Sequence, residues 1–395
     1  MDNKMSVLGL ILFALVIADC IYEAVEKPYH NWDMIMYMAA AKSFEEPDPE
    51  ELHRFTFAEL KRSVPENTYQ QLTRSADYRV AIARDSSAFG EQLPFYQIRP
   101  IYNGAIYLLY KSGLQLAKAT YLVSLLSVLI GICFVFLSIH RRLPNRLMMV
   151  VPMAMMVFSV GTLGRYSTPD GMGFMAMCMI SYFYLSRKFH PVLLLAPLIV
   201  LIRTDLILLS LLMVGAVWVT RPGLRRHALV SGLGCLAVNF ALQTFWGNAG
   251  WSTIFYFTFV QNLTHPITAE PQLTVAQYQA VFSRGLMGLL NDGFFWLFMV
   301  LSYLSAFYYW KKDWLASFRS WQQSQAAQLS LICLVFAGAH FVLFPAMWLR
   351  FFVATYLMAA ISLLLLFHGQ QQRNAMHVRS KAAQSTDRVG VSEMP

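Results

Sequence analysis

Most of this 395-residue chain is apolar, and the charged side chains that interrupt it are mainly aspartates and arginines. Asp33 stands in Asn31-Trp32-Asp33-Met34-Ile35-Met36-Tyr37, about a dozen residues beyond the first hydrophobic segment. Asp170 lies in Gly164-Arg165-Tyr166-Ser167-Thr168-Pro169-Asp170-Gly171, and Arg203-Thr204-Asp205 divides a later apolar run. Arg99 opens Arg99-Pro100-Ile101-Tyr102, and Arg350 ends Phe344-Pro345-Ala346-Met347-Trp348-Leu349-Arg350. A carboxylate in such a place can take a proton from a hydroxyl. A guanidinium can grip a phosphate with two parallel N–H bonds. Carboxylates beside spare guanidiniums therefore suit chemistry in which a hydroxyl attacks and a phosphate leaves.

Each residue also has a plainer reading. Asp170 precedes an apolar helix, where Pro-Asp-Gly is good turn chemistry and an aspartate serves as an N-cap. Arg203 and Asp205 can form a local ion pair that steadies a short helical hairpin. Each arginine alone suits a lipid-headgroup anchor. His340 reads as a satisfied buried histidine, and Asp19, inside the first apolar segment, has no assigned role. A charge at the centre of a bilayer costs at least about 2.5–3.5 kcal/mol, so the few acids there are expected to line cavities or to pair with cations.

Composition supplies the setting. Hydrophobic residues make up 57% of the chain and charged residues 13%, with a mean hydropathy of +0.46. Apolar runs of the roughly 20 residues that a bilayer core requires recur along it, so the sequence predicts an all-α polytopic membrane protein. The first run, beginning at Met5, lacks a basic leader and a clean cleavage site and reads as a retained span. Cys20, Cys133, Cys178, Cys235 and Cys333 all fall in apolar segments, as small buried residues do. There is no CxxC, HExxH or Gly-rich phosphate loop, which leaves ATP-driven and zinc-hydrolase chemistry without a motif.

Charge gives the orientation. Of the 22 acidic residues, 13 lie between Glu23 and Ile98 with 8 basic ones, a formal −5, while the remainder carries +14. The basic clusters Arg141/Arg142/Arg146, Arg187/Lys188, Arg221/Arg225/Arg226, Lys311/Lys312/Arg319 and the tail from Arg373 mark the cytoplasmic side. The overall +9 is thus a topology signal and not a nucleic-acid signal. This predicts a first span in residues 1–22 and an extracytoplasmic segment over 23–117 with interfacial helices. Spans follow in 118–246, a second extracytoplasmic loop over 247–290, spans in 291–368, and a disordered tail over 369–395. About ten crossings result, near 5–22, 118–139, 148–165, 171–186, 190–204, 206–220, 228–246, 291–310, 328–345 and 351–368. In the first outer segment Met34, Tyr37, Met38 and Ala41 form an apolar stripe suited to a membrane surface, and Glu45-Glu46-Pro47-Asp48-Pro49 ends that helix. Asp33, Asp170, Arg203, Asp205, Arg99, Arg165 and Arg350 then share one side, where the positive-inside tendency disfavours arginine.

In this order the features resemble the GT-C superfamily of integral membrane glycosyltransferases. The likeness rests on Asp33, Tyr37 and Ala41 in an Asp-x-x-x-Tyr-x-x-x-Ala pattern after the first span, the Arg99-Pro100 helix, the Thr-Pro-Asp turn at Asp170, Arg203-x-Asp205, and Arg350 at the mouth of the last span. It covers roughly residues 5–220 and 340–368. The chain departs from many relatives in having Met34 where a second acid follows the first, and in having no large soluble C-terminal domain. The resemblance implies transfer of a sugar from a polyprenyl-phosphate donor to an envelope glycan, a lipid or an exported protein, at the outer face of a bacterial inner membrane. It implies Asp33 as general base, with Asp170 holding sugar or acceptor hydroxyls or assisting Asp33. Arg350 and Arg203, with Arg99 and Arg165, would hold the phosphate, and Tyr37 and Asp205 would contact the sugar or acceptor. No cofactor is implied, and a lone Asp33 is a poor start for a divalent-metal site. A transporter or flippase is the main alternative. It requires acids near the midplane and broken helices in matching halves. A non-catalytic assembly protein or an O-antigen-ligase-like enzyme is a third reading.

Overall fold

A computed structural model describes residues 7–140, 142–310, 313–346 and 348–390; Arg141, Lys311, Lys312 and Met347, all used in the sequence reading, lie outside these. The described residues are mostly helical, with no strand and one isolated bridge between Tyr29 and Tyr166. Five helices are long and apolar enough to cross a bilayer: Val7–Glu26, Leu116–Ile139, Pro222–Phe245, Gln325–Leu343 and Leu349–Met376. Val275–Leu290 and Gly293–Tyr309, bent by 76°, make a sixth if counted as one broken span. Leu8, Leu10, Ile11 and Leu15 of the first helix are exposed, an apolar face suited to lipid and not to water.

The sequence predicts about ten crossings, and the difference lies in short helices. Asn145–Val157, Phe189–Val200 and Thr204–Thr220 are apolar but brief. Asp170–Leu185 has 16 residues, about 24 Å at the α-helical rise, against roughly 30 Å of hydrocarbon. The stretch expected as one span over 148–165 is two helices, Val150–Val157 and Val160–Arg165, because Ser159 between them adopts φ 55.

Residues 23–117 fold as a run of short helices that begins with Trp32–Lys42 and ends with Pro100–Lys111. Asp48 and Asp85 cap two of them by accepting from Glu50 N and Ser87 N. Trp32–Lys42 departs from the expected surface helix: Met34, Ile35, Met36, Met38, Ala39 and Ala41 are all fully buried. It packs against Pro49–Ser63, Pro100–Lys111 and Leu116–Ile139, so its apolar residues face protein on every side. Where a disordered tail is expected after His368, the last helix continues to Gly390. Hydrogen bonds Gln370–Asn374, Arg373–Gln370 and His368–Gln372 span single turns of it.

Two glycines set the approach of the helices on either side of the Asp170 turn. A Cβ on Gly171 would lie 2.7 Å from the Ser124 carbonyl oxygen, and one on Gly131 would lie 2.6 Å from the Phe174 ring. Leu116–Ile139 and Asp170–Leu185 therefore meet backbone to backbone. That proximity lets Ser124 Oγ donate to the Thr168 carbonyl at 2.8 Å and Thr120 Oγ1 to Ser167 Oγ at 2.8 Å, which pins the turn before Asp170.

The two ends of the bundle differ. At one end, the 23–117 and 247–290 segments join. Glu91 accepts from Ile267 N (2.9 Å), Thr268 N (2.9 Å) and Thr268 Oγ1 (2.6 Å), and it contacts His265 at 3.0 Å. Its carboxyl is held below the usual range: burial raises it, but the Thr268, His265 and Ile267 hydrogen bonds outweigh that. Trp251 Nε1 and Tyr278 OH donate to the Leu343 and Val342 carbonyls, each at 2.8 Å. At the other end, Arg142 donates to the Ser138 carbonyl (2.6 Å) and Ser186 Oγ (2.8 Å), and Arg187 to Gln325 Oε1 (3.1 Å).

Candidate active site

Asp33 sits in the first turn of Trp32–Lys42. Its Oδ1 accepts from the Tyr96 hydroxyl at 3.1 Å and its Oδ2 from Asn31 Nδ2 at 2.9 Å. Burial and the charge of Asp33 push the Tyr96 phenol well above its ordinary pKa, so it stays a donor. Arg350 Nη1 lies 3.7 Å from Asp33 Oδ2. The first-loop acid and the last-helix arginine, 317 positions apart in the chain, are thus neighbours.

Asp170 is not an N-cap. Pro169 holds that position without a side-chain bond, and Asp170 is the first helical residue. Its Oδ1 pairs with Arg203 Nη1, its Oδ2 accepts from Thr168 Oγ1 at 2.6 Å, and Arg350 Nε lies 3.5 Å from that same Oδ2. Arg203 also makes the local pair. Its Nε and Nη2 fork onto the two Asp205 oxygens at 3.0 and 2.7 Å. His340 Nε2 reaches Asp205 Oδ2 at 3.2 Å, while its ring lies against Phe336, Phe351 and Phe352.

Three carboxylates, two guanidiniums and an imidazole therefore form one chain of contacts. A cavity of about 20 Å³ adjoins Asp170, Arg203, Asp205 and Arg350, room for about one water. The Asp170 side chain is 3% exposed and Arg203 11%, whereas Asp33 and Asp205 are 29% and 34% exposed. The group is thus closed on the Asp170 side and open at Asp33 and Asp205.

The two arginines are used differently. Arg203 makes three charge-assisted hydrogen bonds, the strong kind. Arg350 makes none among the described residues; its contacts with Asp33 and Asp170 are ion pairs at 3.7 and 3.5 Å. Its guanidinium carbon lies 5.1, 5.2 and 5.8 Å from the ring centres of Trp348, Phe351 and Tyr166, so aromatic faces hold the cation while its N–H groups stay available.

The remaining candidates lie around or beyond this group. Tyr37 is buried, with Tyr96 and Tyr102 edge-on to it, each with ring centres 5.0 Å away. Arg99 lies 5.7 Å from the Tyr37 ring centre and donates to the Phe95 carbonyl at 2.6 Å, with its Nε buried and unpartnered. Arg165 is drawn away, pairing with Glu23 at 2.6 Å and lying over Tyr29. Neither Arg99 nor Arg165 contacts Asp33 or Asp170 among the described residues. Tyr96 and Asn31 are the residues that sequence reasoning missed. Asn31 is two positions from Asp33, a spacing suited to a local side-chain bond, but nothing in the sequence distinguishes Tyr96 from the other tyrosines. Comparison with protein-family models, curated proteins and solved structures gave no match.

Proposed function

We propose that this chain is a membrane glycosyltransferase that moves a sugar from a polyprenyl-phosphate donor to an acceptor hydroxyl, with Asp33 as general base. The observation that carries the proposal is Arg350: a cation without a side-chain hydrogen bond among the described residues, between two carboxylates, in an otherwise paired cluster. In this reaction the acceptor O–H gives its proton to Asp33 while its oxygen bonds to the anomeric carbon. The bond from that carbon to the phosphate oxygen breaks, and the lipid phosphate leaves with the electron pair. Arg350 turns its N–H groups to the developing charge, which is worth most in a water-poor site. Tyr96 and Asn31 fix the orientation of Asp33, and Arg203 holds Asp170 and Asp205 in place. Asp205 contacts the sugar or acceptor, and Tyr37, buried between Tyr96 and Tyr102, supports the site from within instead of touching substrate. Arg99 supports the Tyr37 face, and Arg165 acts at a distance by tying the first helix to the Asp170 turn.

About ten crossings follow if the short apolar helices pair across the bilayer, with the Asp33 end facing the periplasm or exterior of a bacterial inner membrane. The acceptor is an envelope glycan, a lipid or an exported protein. The test is transfer in vesicles supplied with polyprenyl-phosphate-linked hexose, pentose and aminosugar donors. Asp33→Asn is expected to abolish transfer while thermal unfolding stays near that of the parent. Full activity in Asp33→Asn would remove the general-base assignment.

A further inference from the structure

At the end opposite Asp33, Trp314–Gln323 forms a ten-residue helix capped by Asp313, which accepts from Leu315 N at 3.3 Å and Ala316 N at 3.1 Å. Trp314, Leu315 and Phe318 are 67%, 48% and 39% exposed, and the preceding Trp310 is 65% exposed. Tryptophans beside other apolar residues on a short amphipathic helix suit the boundary between headgroups and acyl chains.

The same helix contributes Leu315, Ala316, Arg319, Ser320 and Gln323 to a cleft of about 490 Å³ that its cap Asp313 and Arg373 of the last helix also line. Depth agrees. Arg373 lies about 24 residues beyond Leu349, roughly 36 Å along the helix, more than the roughly 30 Å of a hydrocarbon core. If Leu349 stands at one interface, Arg373 reaches the headgroups of the other. Neither arginine has a carboxylate partner among the described residues: Arg373 donates to Gln370 Oε1, and the Asp313 oxygens serve the helix cap. At the Asp33 end, Arg54 pairs with Glu51 and Arg62 with Glu59, whereas Arg74, Arg84 and Arg284 are exposed without a carboxylate partner among the described residues.

We propose that this cleft binds the phosphate of an acidic membrane lipid. Arg319 and Arg373 donate to the phosphate oxygens, Ser320 and Gln323 add neutral hydrogen bonds, and Trp314 and Phe318 lie against the acyl chains. The site is separate from the Asp33 cluster and does not depend on the sugar-transfer reading.

The experiment places the full chain in nanodiscs of phosphatidylcholine doped with phosphatidylglycerol and measures, by native mass spectrometry after mild extraction, which lipid stays bound. The parent is expected to retain phosphatidylglycerol preferentially. The double variant Arg319→Gln/Arg373→Gln is expected to lower that preference by about fivefold or more, whereas Arg54→Gln leaves it unchanged. Arg319→Lys/Arg373→Lys, which keeps the charge, is expected to keep most of it and controls for misfolding. Equal retention in parent and Gln variant would overturn the proposal. Loss of the lipid from the parent in millimolar inorganic phosphate would overturn it in favour of a soluble phosphate.

Discussion

At the Asp33 end of the bundle, Arg203 and Arg350 face carboxylates from three separate segments. At the other end, Arg142 and Arg187 face only carbonyl, hydroxyl and amide oxygens. Neutral dipoles are enough to hold a guanidinium at a helix end, so Arg142 and Arg187 need no further explanation than orientation in the bilayer. Burying acids beside bases carries a desolvation cost that the pairing often fails to recover. A fold that gathers three aspartates and two arginines in one place has therefore assembled something that stability alone does not require.

The contrast can be broken most sharply with charge removal. Asp33→Asn and Arg350→Gln are each expected to lower transfer by about 10²–10⁴-fold, while Arg142→Gln at the opposite end leaves the rate per folded molecule unchanged. A comparable loss in Arg142→Gln would erase the distinction between the ends. Next in size, Arg203→Ala leaves Asp205 without its arginine and Asp170 with only the longer Arg350 contact, and is expected to destabilise by about 3–5 kcal/mol. For Arg142→Gln the corresponding figure is about 1 kcal/mol, and thermal unfolding in detergent compares the two.

Sidedness gives a third check. After replacement of the exposed Cys133, cysteine at Arg54 and cysteine at Arg225 should be labelled by an impermeant reagent from opposite faces of sealed vesicles. Labelling of both from one face would place the two ends on the same side.

The smallest effect concerns pH. Glu45 is held at about 2, first by the Lys111 hydrogen bond and then by Lys42. Its folded value is depressed, so its contribution is present above the ordinary value near 4.5 and is lost as pH falls towards 2. Hydrogen exchange of Pro100–Lys111 should quicken over that window in the parent, and Glu45→Gln should remove the dependence.

Much of the cluster was legible in the sequence because charge is scarce around Asp170, Arg203, Asp205 and Arg350, and because Asp33 heads an apolar helix pattern. Asp33, Asp170, Arg203, Asp205 and Arg350 interrupt apolar runs, and the cost of burying each alone drives them towards one another. Arg99 and Arg165 look the same in sequence, yet a nearby carbonyl takes one and Glu23 the other, which only the packed structure decides. Tyr96 was not legible because its role depends on where Pro94–Gln97 lies relative to Trp32–Lys42. The helical class was plain from hydropathy. The number of long helices was not, because composition does not register a single backbone angle such as that at Ser159, which splits an apolar stretch in two.

Arg350 belongs to the last helix, and that has a bearing on biosynthesis. During synthesis from the N-terminus, Asp33 and Asp170 are inserted long before their shared cation emerges from the ribosome. The Glu91 junction likewise waits for Ile267 and Thr268. A nascent chain therefore holds every acid of the cluster but lacks the guanidinium between Asp33 and Asp170 until the helix that starts at Leu349 is made. Truncation before Leu349 would leave a product with Asp33 present and Arg350 missing, so under the proposed reaction that product is expected to be inactive.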